Sequence, residues 1–260
     1  MSDAYFVAAG HDSYAPTEHT GGAWNDVDQH FAPLAGIVTH HLDRWRSAHS
    51  DPAKRVSRIT FEILGRLPRG DVELTTRVVR PGRTIELLET TAAIDGRAVV
   101  TARAWALSDG DTQRVEGGAW HPLPSPEDCP SFELHEASPG GFLPTLDVRK
   151  VGEPAPGRAS AWVRTELPLV ADEESSALAS YILLLDTSNS IAMREAPEEW
   201  LFPNVELTAH LFRAPVGPWT GLDTTVSFGP TGQGLTSSVL HDTAGPLGTA
   251  QQLLTVRPVA

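Results

Sequence analysis

Asp186 is the side chain in this sequence whose setting most demands a reason. It closes the run "YILLLD" at residues 181–186, which is apolar enough to be the buried face of a helix. An ionised carboxylate among such neighbours is costly unless it is paired or hydrogen-bonded. One reason for it would be a general base, or a group that orients water, with a pKa that burial raises. The other is a local cap, because the "DTSNS" that begins at Asp186 is rich in side chains that bond nearby backbone amides. Gln252 poses a similar question. In "TAQQLLTV", alternation puts Gln252, Leu254 and Val256 on one face. An amide on that face either holds water or a carbonyl, or belongs to an edge strand and meets solvent. Gly36 opens the helical run "GIVTHHLDRW" (36–45). Free amides and the dipole at a helix start can polarise a substrate carbonyl, although a helix start also simply tolerates glycine.

Other chemistry-bearing residues point elsewhere. His40 and His41 are adjacent, so they leave a helix in different directions, and without HExxH spacing they read as helix-surface residues rather than metal ligands. No metal and no cofactor is expected. "GPTGQG" and "PGG" lack the GK[ST] ending of a phosphate loop and read as turns. The net charge of −13 and pI near 5.1 argue against a nucleic-acid or anionic-membrane surface, which needs clustered Lys and Arg. No basic-then-apolar leader opens the chain, and no apolar run approaches the roughly 18 residues of a membrane span. The single Cys129 cannot form an internal disulfide, so a cytoplasmic location is expected.

The elements that must position these residues are written twice. In the first half the helical run precedes "RITFEIL", the turn "GRLPRG" and "VELTTRVV". The strands "TIELLETTAAI" and "AVVTARAWAL" then flank Asp95-Gly96, a two-residue hairpin signal. In the second half "SSALASYILLLDTSNSI" (175–191) reads as the helix. After it come "NVELTAHLF", the turn "RAPVG", "WTGLDTTVSFG", and a hairpin of "GLTSSVL" with "TAQQLLTV". The breaker clusters "HPLPSPEDCP" (121–130) and "SPGGFLP" (138–144) separate the halves. The expectation is therefore an α+β fold of two repeated units, 1–120 and 145–260, joined by a Pro/Gly-rich connection over 121–144. Each unit should wrap an antiparallel sheet around one main helix, and Arg66–Gly70 and Arg213–Gly217 should be equivalent turns.

That order resembles the acyl-CoA thioesterases with a double hotdog fold, the thioesterase II type, over nearly the whole chain. The resemblance rests on "YILLLD", "NVELTAHLFRAPVGPW", "FGPTGQGLTSSVLHDTAGPLGTAQQLLTVRP" and "PGRTIELLETTAAIDGRAVVTARAW". It implies hydrolysis of an acyl-CoA thioester by a water held among an Asp, a Ser or Thr, and a Gln. Asp186 and Gln252 fall at the first and last of these positions. The hydroxyl position falls on Asn204, a departure from the pattern, and Asn204 also reads as a turn residue after Pro203. Thr208 is the nearest hydroxyl along that strand, four residues on and so on the same face as Asn204. The partner implied is a small-molecule acyl-CoA, and free sheet edges leave room for a homo-oligomer. Loss of the hydroxyl keeps a second reading open, a non-catalytic acyl-CoA or acyl-chain binder. A hydratase is disfavoured, since "WNDVDQHF" (24–31) lacks the Gly and Asn-Pro of the hotdog hydratase motif.

Overall fold

The computed structural model describes residues 3–22, 25, 27–51, 53–134 and 140–259. Trp24 and Asp26 of "WNDVDQHF", and Ser138 and Pro139 of the second breaker cluster, lie outside the described residues. In chain order the elements are β1 (Phe6–Ala8), β2 (Ser13–Pro16), α1 (Phe31–His49), β3 (Lys54–Ile63), β4 (Val72–Arg80), β5 (Ile85–Ile94) and β6 (Arg97–Ser108). The second half continues with β7 (Leu146–Ala155), β8 (Arg158–Thr165), α2 (Ala177–Ile182), α3 (Ser188–Ile191), β9 (Trp200–Leu201), β10 (Glu206–Leu211), β11 (Thr220–Phe228), β12 (Gln233–Asp242), β13 (Gly245–Thr255) and β14 (Arg257–Pro258).

Twelve strands form one sheet in the order β1-β2-β4-β5-β6-β3-β10-β13-β12-β11-β8-β7. Its first half contains β2-β4-β5-β6-β3, and its second half, read from the far end, contains β8-β11-β12-β13-β10. Each block thus sets the strand before the helix beside the second strand after it. The same connectivity twice is what a duplication produces, and the molecule is a double hotdog. The two blocks meet where β3 pairs antiparallel with β10, with Thr208 opposite Thr60 and their hydroxyls 3.2 Å apart. Arg66–Gly70 joins β3 to β4 and Arg213–Gly217 joins β10 to β11, the same connection in each block.

Local chemistry explains the elements near the site. Asp95 (φ 51°) and Gly96 (φ 72°) both take positive φ, as the two-residue turn between β5 and β6 requires. On β6, Val100, Ala102, Ala104 and Ala106 point inward at every second residue, and three of the four are small enough for a helix to lie close. Leu34, Ile37, Val38 and Leu42 of α1 are buried at helical spacing. They share one core with Leu183, Leu222 and Leu254 of the second unit. No helix among the described residues is long and apolar enough to cross a membrane.

Three local expectations need correction. α1 is longer than 36–45 and begins at Phe31, because His30 caps it and Pro33 fits a first turn whose amides need no intrahelical partner. The second helix is not continuous over 175–191. It stops at Ile182, turns through a 3₁₀ segment at Leu185–Thr187, and resumes as α3. The Thr187 hydroxyl donates to the Leu184 carbonyl at 2.6 Å, giving the backbone an alternative to the α-helical ladder. Finally, His40 and His41 are only 3 % and 4 % exposed, His40 being covered by the segment that leads into α2 and His41 facing the connection between β1 and β2. His40 Nε2 lies 3.1 Å from Glu173 Oε2, and His41 Nδ1 lies 3.6 Å from Asp12 Oδ1.

Candidate active site

The break in the second helix aims Asp186. The 3₁₀ turn carries its carboxylate into the interior, where Oδ1 accepts from Asn204 Nδ2 at 2.8 Å and from Gln252 Nε2 at 2.7 Å. Gln252 is held in turn by the Ser188 hydroxyl, which donates to its Oε1 at 3.2 Å. One carboxylate oxygen is thus engaged by two amides, one of them itself anchored. The other, Oδ2, lies 3.3 Å from Nδ1 of His30.

Asn204 reaches Asp186 because the strand ahead of β10 is not regular. Asn204 bridges Leu254, whereas Thr208 pairs with Gln251. Three residues therefore oppose two between these points, the signature of a β-bulge. The bulge shifts the alternation by one, so Leu207 and Ala209 point into the core while Thr208 points away. This corrects the expectation that Thr208 shares a face with Asn204. The Thr208 hydroxyl donates to Glu206 Oε2 at 2.9 Å instead.

Gly36 is also misplaced by the sequence reading. It is the sixth residue of α1, so its amide lies inside the hydrogen-bond ladder rather than at the free end. Its small size serves packing. A Cβ there would lie 3.1 Å from both Leu183 Cβ and Leu169 Cδ1. Gly36→Val should therefore cost about 1–3 kcal/mol in chemical denaturation, and an unchanged midpoint would show that α1 and α2 do not pack through this contact.

His30 and Ser188 stand beside Asp186 and Gln252; Ser188 was not singled out from sequence, and His30 was weighed only as the histidine of "WNDVDQHF" in a hydratase motif. The sequence signal for His30 was its place just ahead of a helix with Pro at its third position. Its Nδ1 accepts from the Ala32 amide at 3.1 Å, and its ring leans on Phe142 with centroids 4.7 Å apart. Burial pushes the His30 pKa down to about 4. Burial likewise pushes Asp186 up to about 7, against the lowering effect of the Asn204 and Gln252 amides. Histidine is therefore neutral when aspartate ionises, and the pair is not an ion pair near neutral pH. With Nδ1 already accepting from the Ala32 amide, the approach of Oδ2 is a close contact. Among the described residues no group of three or more His, Cys, Asp or Glu side chains is arranged to hold a metal.

The assembly joins a buried carboxylate, two amides that bond it and a neutral imidazole on a duplicated fold. Residues 20–107 match the acyl-CoA thioesterase N-terminal domain, and residues 126–256 match the acyl-CoA thioesterase C-terminal domain. The chain belongs to the acyl-CoA thioesterase family. No curated protein matches it in sequence. Among solved structures it is similar to a hot dog fold protein of unknown function from Alicyclobacillus acidocaldarius, at 16 % identity and TM-score 0.74, covering 99 % of this chain and 98 % of that one. It is also similar to an acyl-CoA thioesterase II, TesB2, from Mycobacterium marinum, at 14 % identity and TM-score 0.65, covering 98 % and 96 %. A thioesterase candidate from Novosphingobium aromaticivorans aligns at 18 % identity and TM-score 0.73, covering 96 % and 98 %. At these identities the likeness speaks for the fold. Within the acyl-CoA thioesterase fold of this chain, Asp186, Gln252 and Asn204 converge, whereas Thr208 and the Gly36 amide do not join them.

Proposed function

We propose that this protein hydrolyses an acyl-CoA thioester by direct attack of water, with Asp186 as general base and no metal. The observation that carries the reading is the division of labour within one carboxylate. Asn204 and Gln252 fix Oδ1, which leaves Oδ2 to take a proton, and burial holds the group near pH 7 where a base is most effective. In this reading the amides orient the base rather than the water, so Asn204 serves without being a hydroxyl. A cleft of about 390 Å³ runs beside the same segment. Leu167, Leu169, Leu183 and Leu184 line it and offer an acyl chain apolar cover. The functional units are 1–120 and 145–260, linked through 121–144, and the single Cys129 suits a cytoplasmic protein.

The second reading is a non-catalytic binder of acyl-CoA. It is favoured by one observation: both amides already bond the carboxylate directly, and the Thr208 hydroxyl is engaged elsewhere. Thiol release from a panel of short-, medium- and long-chain acyl-CoAs, followed with a disulfide dye, separates the two. Enzymatic release of thiol from at least one member is expected. Saturable binding with no release across the panel would establish the binder.

A further inference from the structure

We propose that His30, supplied by the N-terminal unit, is a second catalytic residue: its Nε2–H donates to the thioester carbonyl oxygen as negative charge gathers there. This rests on the hydrolytic reading above. The tautomer follows from geometry. Nδ1 accepts from the Ala32 amide at 3.1 Å, so the ring proton of a neutral imidazole sits on Nε2. The ring is 8 % exposed and Nε2–H makes no hydrogen bond to any described residue, whereas Asp186 Oδ1 is engaged by the Asn204 and Gln252 amides. A donor at the edge of a largely buried ring and without a protein partner is open to a ligand or water. Contact with Phe142 fixes the plane of the ring. Asp186 Oδ2 stands 3.3 Å from Nδ1 of the same ring, which puts the carboxylate and the imidazole in one site.

The step balances without a co-reactant. The water oxygen bonds to the carbonyl carbon while Asp186 Oδ2 takes one water proton. The π electrons move onto the carbonyl oxygen, which Nε2–H stabilises. Collapse breaks the C–S bond, and the departing thiolate takes the proton back from Asp186. The products are one carboxylic acid and one thiol. A neutral imidazole suits this task because it donates a hydrogen bond without yielding its proton, and burial keeps His30 neutral above about pH 4.

The discriminating variant is His30→Asn. Asparagine is a favourable N-cap and keeps the bond to the Ala32 amide, but it is too short to place a donor where Nε2 lies. A structural role predicts wild-type activity. The catalytic role predicts that kcat falls by about 10²–10³-fold, that KM changes little, and that thermal stability near pH 7.5 holds. Full activity in His30→Asn together with an inactive Asp186→Asn would overturn this inference and leave the base assignment standing. An active Asp186→Asn would remove both. If His30→Asn does not fold, ¹⁵N-histidine NMR of the wild-type protein decides, using an acyl-CoA analogue with a methylene between carbonyl and sulfur. The Nε2–H tautomer is expected, with its proton moving downfield as the ketone binds. The Nδ1–H tautomer, or an Nε2–H signal unmoved at saturation, would overturn the proposal.

Discussion

Asp186→Asn should lower the rate of thioester hydrolysis by about 10²–10⁴-fold while the protein stays folded. The substitution keeps volume and shape, and the asparagine Oδ1 can accept from Asn204 and Gln252 as the carboxylate does. Its amide nitrogen takes the place of Oδ2, 3.3 Å from His30 Nδ1. Only the ability to take a proton is lost. In the parent enzyme the same group should give kcat/KM an acid limb near pH 7, rising as Asp186 ionises. Gln252→Ala separates fixing from basicity. It removes a donor that holds the Asp186 pKa down, so the limb should move to higher pH and part of the rate lost at pH 7 should return in alkali. Unchanged hydrolysis by Asp186→Asn across the profile would rule out the carboxylate as base.

The same pair should give stability a pH dependence of two opposite signs, revealed by single substitutions. Folding raises Asp186 from 3.8 to about 7, so the folded state holds the extra proton in that interval. Its contribution to stability therefore falls as pH rises through the window, by on the order of 4 kcal/mol. Folding lowers His30 from 6.5 to about 4, so there the unfolded state holds the extra proton. That contribution rises with pH, by about 3 kcal/mol. In the parent the two nearly cancel between pH 4 and 6.5. Relative to the parent, Asp186→Asn should gain melting temperature steadily from pH 4 to 7 and hold the gain above it. His30→Asn should show its advantage at pH 4 and lose it by pH 6.5. Parallel melting curves for all three proteins across this range would show that neither group is desolvated as described.

The architecture was legible because duplication repeats a pattern, and the Asp95-Gly96 turn and alternating strands fix most of one block before the other is considered. The site was legible only where side chains stood out against apolar neighbours, as Asp186 and Gln252 do. Regular alternation misled at Thr208, because the bulge after Asn204 depends on pairing with β13 rather than on local sequence. Gly36 misled because the helix start was placed by hydrophobic spacing, while the cap at His30 set it five residues earlier. His30 itself meets Asp186 across 155 intervening positions, a contact that no local pattern encodes.

The facing threonines at the junction of the two blocks have one more consequence. Arg103 lies opposite Thr60 and Gln251 lies opposite Thr208, so the next residues along, Ala104 and Gln252, are counterparts. Where the second unit keeps an amide to fix a carboxylate, the first keeps a buried methyl group. Fusion into one chain freed the copies from having to be identical. One copy carries a methyl group into the packing at this position while the other carries the amide that bonds Asp186.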